Sequence, residues 1–168
     1  MASSSLRVGV LTGGGDCPGL NAVIRAVTKS LLRQCGATVV GIEDGFAGLM
    51  PGGRVRDLDW RAVSGILFSG GTVLGTSNRA NPLASESLAS ATVERARALG
   101  LDAIVAIGGD GTMTLAHGLA ERGLRMIGVP KTIDNDIAAC ERSFGFDTAV
   151  ATVTEALERV QTTGQSHG

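Results

Sequence analysis

Four short apolar runs punctuate the chain: Val8 to Leu11, Thr38 to Ile42, Ala103 to Ile107 and Met126 to Val129. Each is too short for a helix and rich in β-branched residues, so each predicts a buried strand. Segments of helical period follow or separate them. From Leu20 to Gln34 the residues Leu20, Val23, Ile24, Val27 and Leu31 fall on one face. Ser85 to Leu99 is alanine-rich and charged, with Gly100 as its stop signal. Thr112 to Arg122 is closed by Gly123, and Thr148 to Val160 carries a stripe of Val150, Val153, Ala156, Leu157 and Val160. The tail from Thr162 to Gly168 is polar and predicted to fray. Strands alternating with helices predict an α/β fold, a Rossmann-like three-layer parallel sheet with helices on both faces. Glu43 to Asn81 holds eight glycines and predicts mobile loops with a short helix near Trp60 to Leu67. No repeat or linker divides the chain, so residues 1–168 are predicted to form one domain.

Composition narrows the functions available. A chain of 168 residues that is 43% hydrophobic and 18% charged can build one real core. Aromatics make up 3% and tyrosine is absent, which argues against base-stacking platforms for single-stranded nucleic acid. A net charge of −1 supplies no general attraction to nucleic acid or anionic membrane, so any phosphate binding must be local. Cys17, Cys35 and Cys140 form neither a metal pattern nor a disulfide framework and suit a reducing cytoplasm. Met1 to Arg7 holds no apolar signal core, and no apolar run approaches membrane-spanning length.

The chemistry sits where predicted strands end. Gly13-Gly14-Gly15-Asp16-Cys17-Pro18-Gly19-Leu20-Asn21 joins the first strand to the first helix. Consecutive glycines let backbone approach a ligand and offer several N–H donors to an anion, beside a helix N-terminus of partial positive charge. Neither the P-loop nor the dinucleotide-binding spacing is present. Gly108-Gly109-Asp110-Gly111-Thr112 repeats the arrangement after the third strand. Its Asp110 would repel a bare phosphate, and a bridging Mg²⁺ would reverse that repulsion. Helix capping by Asp110 or Thr112 is the plainer role. After the fourth strand comes Pro130-Lys131-Thr132-Ile133-Asp134-Asn135-Asp136. Its two carboxylates allow a division of tasks, one taking a proton from a hydroxyl and the other holding a metal or charge, while Lys131 suits a phosphate. A polar turn served by Asp and Asn is the competing reading.

In this order and spacing, the three motifs resemble the N-terminal half of a 6-phosphofructokinase of the phosphofructokinase A family. The resemblance runs from about Arg7 to His167 and includes Gly71-Thr72-Val73-Leu74-Gly75 and Phe144-Gly145-Phe146-Asp147-Thr148-Ala149. It implies phosphoryl transfer from Mg-ATP to the 1-hydroxyl of fructose 6-phosphate. Asp134 resembles the base for that hydroxyl, Thr132 a sugar-phosphate contact, and Asp136 a supporting carboxylate. Gly15 resembles the loop glycine beside the donor, Phe46 an aromatic near the nucleotide, and Arg79 an arginine on the donor phosphates. Gly109, Asp110, Gly111 and Thr112 resemble the donor and Mg²⁺ loop, with Asp110 as metal ligand.

Within the family, glycine at Gly111 goes with ATP and lysine at Lys131 with pyrophosphate, though lysine also occurs in ATP enzymes that carry the glycine; ATP is the expected donor. Family members are about twice this length, so the sugar-binding domain is expected to be absent and the chain alone inactive, with exposed apolar surface. The resemblance also implies homo-oligomers, tetrameric in full-length relatives, and effector phosphates near Arg25 and Arg54, which otherwise read as surface arginines. A non-catalytic nucleotide-binding module is the alternative. Diacylglycerol- and NAD-kinase-like enzymes share the Gly-Gly-Asp-Gly-Thr loop but not the third motif.

Overall fold

The computed structural model describes residues 5–138 and 140–167. Its strands are β1 (Arg7–Thr12), β2 (Thr38–Ile42), β3 (Val55–Asp57), β4 (Ala103–Gly108), β5 (Met126–Thr132) and β6 (Phe144–Gly145). Its helices are α1 (Leu20–Gln34), α2 (Glu86–Ala98), α3 (Asp110–Glu121) and α4 (Phe146–Ser166). The sheet runs β3-β2-β1-β4-β5-β6, parallel throughout except for antiparallel β3. All four predicted strands are present.

Period-two alternation splits the core into two layers. Val8, Val10, Val39, Val105 and Ile107 face Leu20, Val23 and Ile24 of α1. Leu11, Ile42, Ile104 and Ala106 face Val93 and Ala96 of α2 and Ala116 and Leu119 of α3. These are the two helical layers the alternation predicts. Both predicted glycine stops close a helix in the same way. Gly100 (φ 66°) and Gly123 (φ 92°) are left-handed, and the next residue donates back into the last turn, Leu101 N to Ala96 O at 3.1 Å and Leu124 N to Leu119 O at 3.2 Å.

Four local expectations are corrected. The segment Glu43 to Asn81 is packed rather than loose: Phe46, Leu49, Leu58, Val63 and Leu74 are all buried, and β3 pairs with β2. Near Trp60 the chain makes turns, with a 3-10 turn only at Ile66–Phe68, because Gly65 (φ 76°) interrupts any α-helix. Strand β5 runs three residues past the apolar stretch, so Pro130, Lys131 and Thr132 belong to the sheet, and Lys131 and Thr132 pair with β6. Helix α4 continues through Thr162 to Ser166, where fraying was expected, helped by an Arg159–Glu155 ion pair one turn apart.

The apolar stripe of α4 is left uncovered. Val150, Val153, Leu157 and Val160 are 48% to 68% exposed, and only Ala149 of the helix is buried. No helix among the described residues is long and apolar enough to cross a membrane.

Burial separates two leucines that hydropathy treats alike. Leu157→Glu, at a site 63% exposed, is expected to shift stability by less than about 0.5 kcal/mol and to raise solubility. Leu119→Ala, at a site 0% exposed, is expected to cost about 2–5 kcal/mol. Urea unfolding monitored by circular dichroism measures both.

Candidate functional site

Strands β1 and β4 lie side by side, but β1 leads to β2 on one flank and β4 leads to β5 on the other. The connections therefore part above these two carboxyl ends, the point where open α/β sheets leave a crevice. A cleft of about 710 Å³ opens there. Gly15, Phe46, Gly109, Asp110, Gly111, Thr112, Lys131, Thr132, Asp134 and Asp136 all line it. Arg79 does not: it is exposed, while its neighbours Asn78 and Ala80 line the cleft.

The three consecutive glycines have three separate reasons. A Cβ on Gly13 would meet Thr112 Oγ1 at 2.6 Å. Gly14 has φ 79°, which L-side chains rarely adopt. A Cβ on Gly15 would meet nothing within 4 Å, so the protein's own packing makes no demand for glycine there. The open side faces the cleft, and backbone approach by a ligand is what its small size permits. The loop is held firmly from outside. Gly13 N donates to Ile107 O at 2.9 Å, Thr76 Oγ1 to Gly14 O at 2.6 Å, and Thr72 N to Asp16 Oδ1 at 3.0 Å. Lys131 Nζ donates to Gly15 O. Among the described residues the amides of Gly15, Asp16 and Cys17 find no acceptor, although the carbonyls of Gly14, Gly15 and Cys17 are taken up. Unpaired successive amides form an anion-binding nest.

Helix α3 presents a second set of donors. It begins at Asp110, two residues before the predicted start, so Asp110, Gly111 and Thr112 make its first turn. Gly109, its N-cap, supplies no side-chain cap, and first-turn amides have no intrahelical partner. The capping role open to Asp110 or Thr112 is thus not taken. Gly111 weakens the helix by about 1 kcal/mol relative to alanine, yet a Cβ there would also meet nothing within 4 Å. Thr112 is 4% exposed and wedges between the two loops: Cβ atoms on Gly13 and Gly108 would come 2.6 Å and 2.3 Å from its Oγ1. Among the described residues no three His, Cys, Asp or Glu side chains gather as a metal cage. One carboxylate, Asp110, at the cleft suits Mg²⁺, which keeps waters and takes further ligands from substrate phosphates.

Opposite these amides lies the loop after β5. Thr132 Oγ1 donates to Asp136 Oδ1 at 3.0 Å and accepts from Asp134 N at 3.1 Å. One hydroxyl thus fixes both aspartates. The Asp134 carboxylate is exposed and forms no ion pair or hydrogen bond with the described residues. Asn135 adopts φ 51°, and its Oδ1 accepts from Ser143 N at 3.0 Å, while Ser143 Oγ donates to Thr132 O at 3.2 Å. These two residues close the loop: Asn135 serves the turn as the competing reading has it, while Ser143 carries no signal in the sequence reading. Asn21 was equally overlooked as a support. It is fully buried, donates to Ser69 O and Gly71 O at 2.9 and 2.7 Å, and accepts from Val73 N at 2.9 Å. Its place on the buried face of α1, where a polar side chain must find partners, was the available signal.

Phe46 is 2% exposed and part of the core beneath the cleft, so it is floor rather than a free stacking ring. Cys17 is 1% exposed and packs on Gly145, where a Cβ would lie 2.3 Å from its sulfur. Burial pushes the Cys17 thiol up; Lys131 partly opposes this, and Asp16 and Asp134 add to it.

Comparison with known proteins shows the family. The phosphofructokinase family model matches residues 7–168. An ATP-dependent 6-phosphofructokinase 2 of Streptomyces coelicolor is 52% identical over 162 residues, 96% of this chain and 47% of the relative. A pyrophosphate–fructose 6-phosphate 1-phosphotransferase of the same organism is 51% identical over 163 residues, with the same coverage. The solved phosphofructokinase of Saccharomyces cerevisiae superposes with a TM-score of 0.80 at 28% identity, covering 97% of this chain and 25% of that one. The chain spans about half the length of the curated relatives it matches.

The raised Cys17 thiol keeps less thiolate at any given pH than an ordinary cysteine. Alkylation at pH 8 is expected to label exposed Cys35 first, with Cys17 reacting only at higher pH or on unfolding. Mass spectrometry of timed iodoacetamide digests measures the order; equal rates at pH 8 would contradict it.

Proposed function

This chain belongs to the phosphofructokinase family, and we propose that it forms the phosphoryl-donor domain of a 6-phosphofructokinase acting on fructose 6-phosphate. The observation that carries this reading is the convergence of three strand-end loops on one cleft, with unpaired amides on one wall and the unpaired Asp134 carboxylate on another. Phosphoryl transfer asks mainly for positioning and charge neutralisation. The amides of Gly15 and Asp16 and the first turn of α3 hold the polyphosphate. Mg²⁺, held by Asp110 and the donor, would offset charge on the transferring group. Asp134 accepts the proton of the attacking 1-hydroxyl. Thr132, itself held by Asp136, fixes the backbone that carries Asp134 by accepting from its N–H.

ATP is the favoured donor. Gly111 leaves the cleft open where any side chain would project, which gives a nucleotide room beyond its phosphates. Relatives of both donor types are equally similar, so identity does not discriminate. Pyrophosphate use is the second reading, favoured by Lys131 at the cleft. Apart from Thr132, which resembles a sugar-phosphate contact, the sugar contacts are assigned to the half of the relatives that these residues do not cover, so this chain by itself should bind donor without turning over substrate. Homo-oligomeric assembly and cytoplasmic glycolysis belong to the same proposal.

Calorimetry on the chain is expected to give binding of Mg-ATP and none of fructose 6-phosphate. Gly111→Asp is expected to weaken Mg-ATP at least tenfold and Mg-pyrophosphate less. Tight pyrophosphate binding with none of Mg-ATP would reverse the donor choice, and normal turnover by the chain alone would remove the need for a second domain. Asp134→Asn is expected to leave Mg-ATP binding intact and, in a family-length protein carrying this half, to lower kcat by about 10²–10⁴.

A further inference from the structure

Lys131 presents an unusual combination. It is 5% exposed at the end of β5, and among the described residues it forms no ion pair. Its one hydrogen bond runs 116 positions back along the chain, from Nζ to the carbonyl of Gly15. A buried ammonium is costly to hold unless its partner matters to the surroundings. The partner here belongs to the peptide that joins Gly15 to Asp16. That peptide is planar and trans, so its C=O and its N–H point in opposite directions. Drawing the Gly15 carbonyl toward Lys131 turns the Asp16 amide the other way. Asp16 lines the cleft, and its amide has no acceptor among the described residues. Without the ammonium, this peptide would be free to turn on the Gly15 side, since glycine tolerates the change and a Cβ on Gly15 would meet no neighbour; the remaining tie, Thr72 N to Asp16 Oδ1, holds the Asp16 side chain and not the peptide itself.

We propose that Lys131 is a positioning residue that fixes the Gly15–Asp16 peptide so that the Asp16 amide donates to the phosphoryl donor, rather than a direct phosphate ligand. The inference rests on the donor-site reading above. It accounts for a lysine in the wall of a nucleotide site: its charge is engaged by the Gly15 carbonyl, and the space next to Gly111 stays open.

The test is nuclear magnetic resonance of the whole chain, with Lys131→Met and Lys131→Arg as variants. Without ligand, the Lys131 ammonium should give an exchange-protected signal at neutral pH, and Lys131→Met should shift the Gly15 carbonyl resonance. On addition of Mg-ATP or Mg-pyrophosphate, the Asp16 amide of the unmodified chain should move strongly. In Lys131→Met binding should weaken on the order of tenfold, with the Asp16 response lost and the Gly111 and Thr112 responses kept. Lys131→Arg, which retains a donor, should recover part of the Asp16 response. An unaltered Asp16 response in Lys131→Met, or a Lys131 ammonium that leaves Gly15 for the ligand, would overturn the proposal. If neither ligand binds the unmodified chain, the donor-site reading fails while the ligand-free signals still decide the Lys131–Gly15 contact. Those same signals decide it should Lys131→Met not fold.

Discussion

The site depends on one steric contact. Thr112, in the first turn of α3, fills the space where side chains on Gly13 and Gly108 would stand. That contact lets the loop after β1 and the helix after β4 approach until their unpaired amides share one cleft. The sheet makes it possible, because β1 and β4 are register-paired neighbours whose connections leave on opposite flanks. A bulkier residue at either glycine would separate the two donor sets and leave each as an ordinary helix entry.

Charge is handled locally rather than by the surface as a whole. With a net charge of −1, the protein has no broad field to draw in a polyphosphate. At the proposed donor site, backbone dipoles held in a fixed direction would do that work instead, with no reorganisation when the ligand arrives. Fixing them takes many weak contacts: Thr76 on Gly14, Asp16 on Thr72, Asn21 on the segment from Ser69 to Val73, and Lys131 on Gly15. The loop after β5 follows the same logic, with Thr132 Oγ1 bonded to the Asp136 carboxylate and to the Asp134 backbone N–H, and the Asp134 carboxylate unpaired among the described residues.

How much of this was legible in the chain depends on the range of the interaction. Short apolar runs located β1, β2, β4 and β5, and helical period located α1 to α4, because these signals are local. Gly100 and Gly123 marked helix ends for the same reason. The short strands β3 and β6 left no periodicity to detect, since three and two residues span less than a full pattern. The stretch from Glu43 to Asn81 looked loose because its glycines were visible and its burial was not. Leu58 and Leu74 are buried there by the sheet, not by their sequence neighbours.

By itself the sequence determined the layered α/β fold, the three glycine and aspartate motifs and their location at strand ends. Those follow from hydrophobic spacing and backbone preference, which act within a few residues. Only the tertiary structure decided that Lys131 points back to Gly15, that Phe46 forms the floor, that Arg79 stands outside the cleft, and that Thr112 is a wedge. Each of these joins residues many positions apart, and such a contact exists only once strand order and register have brought their elements together.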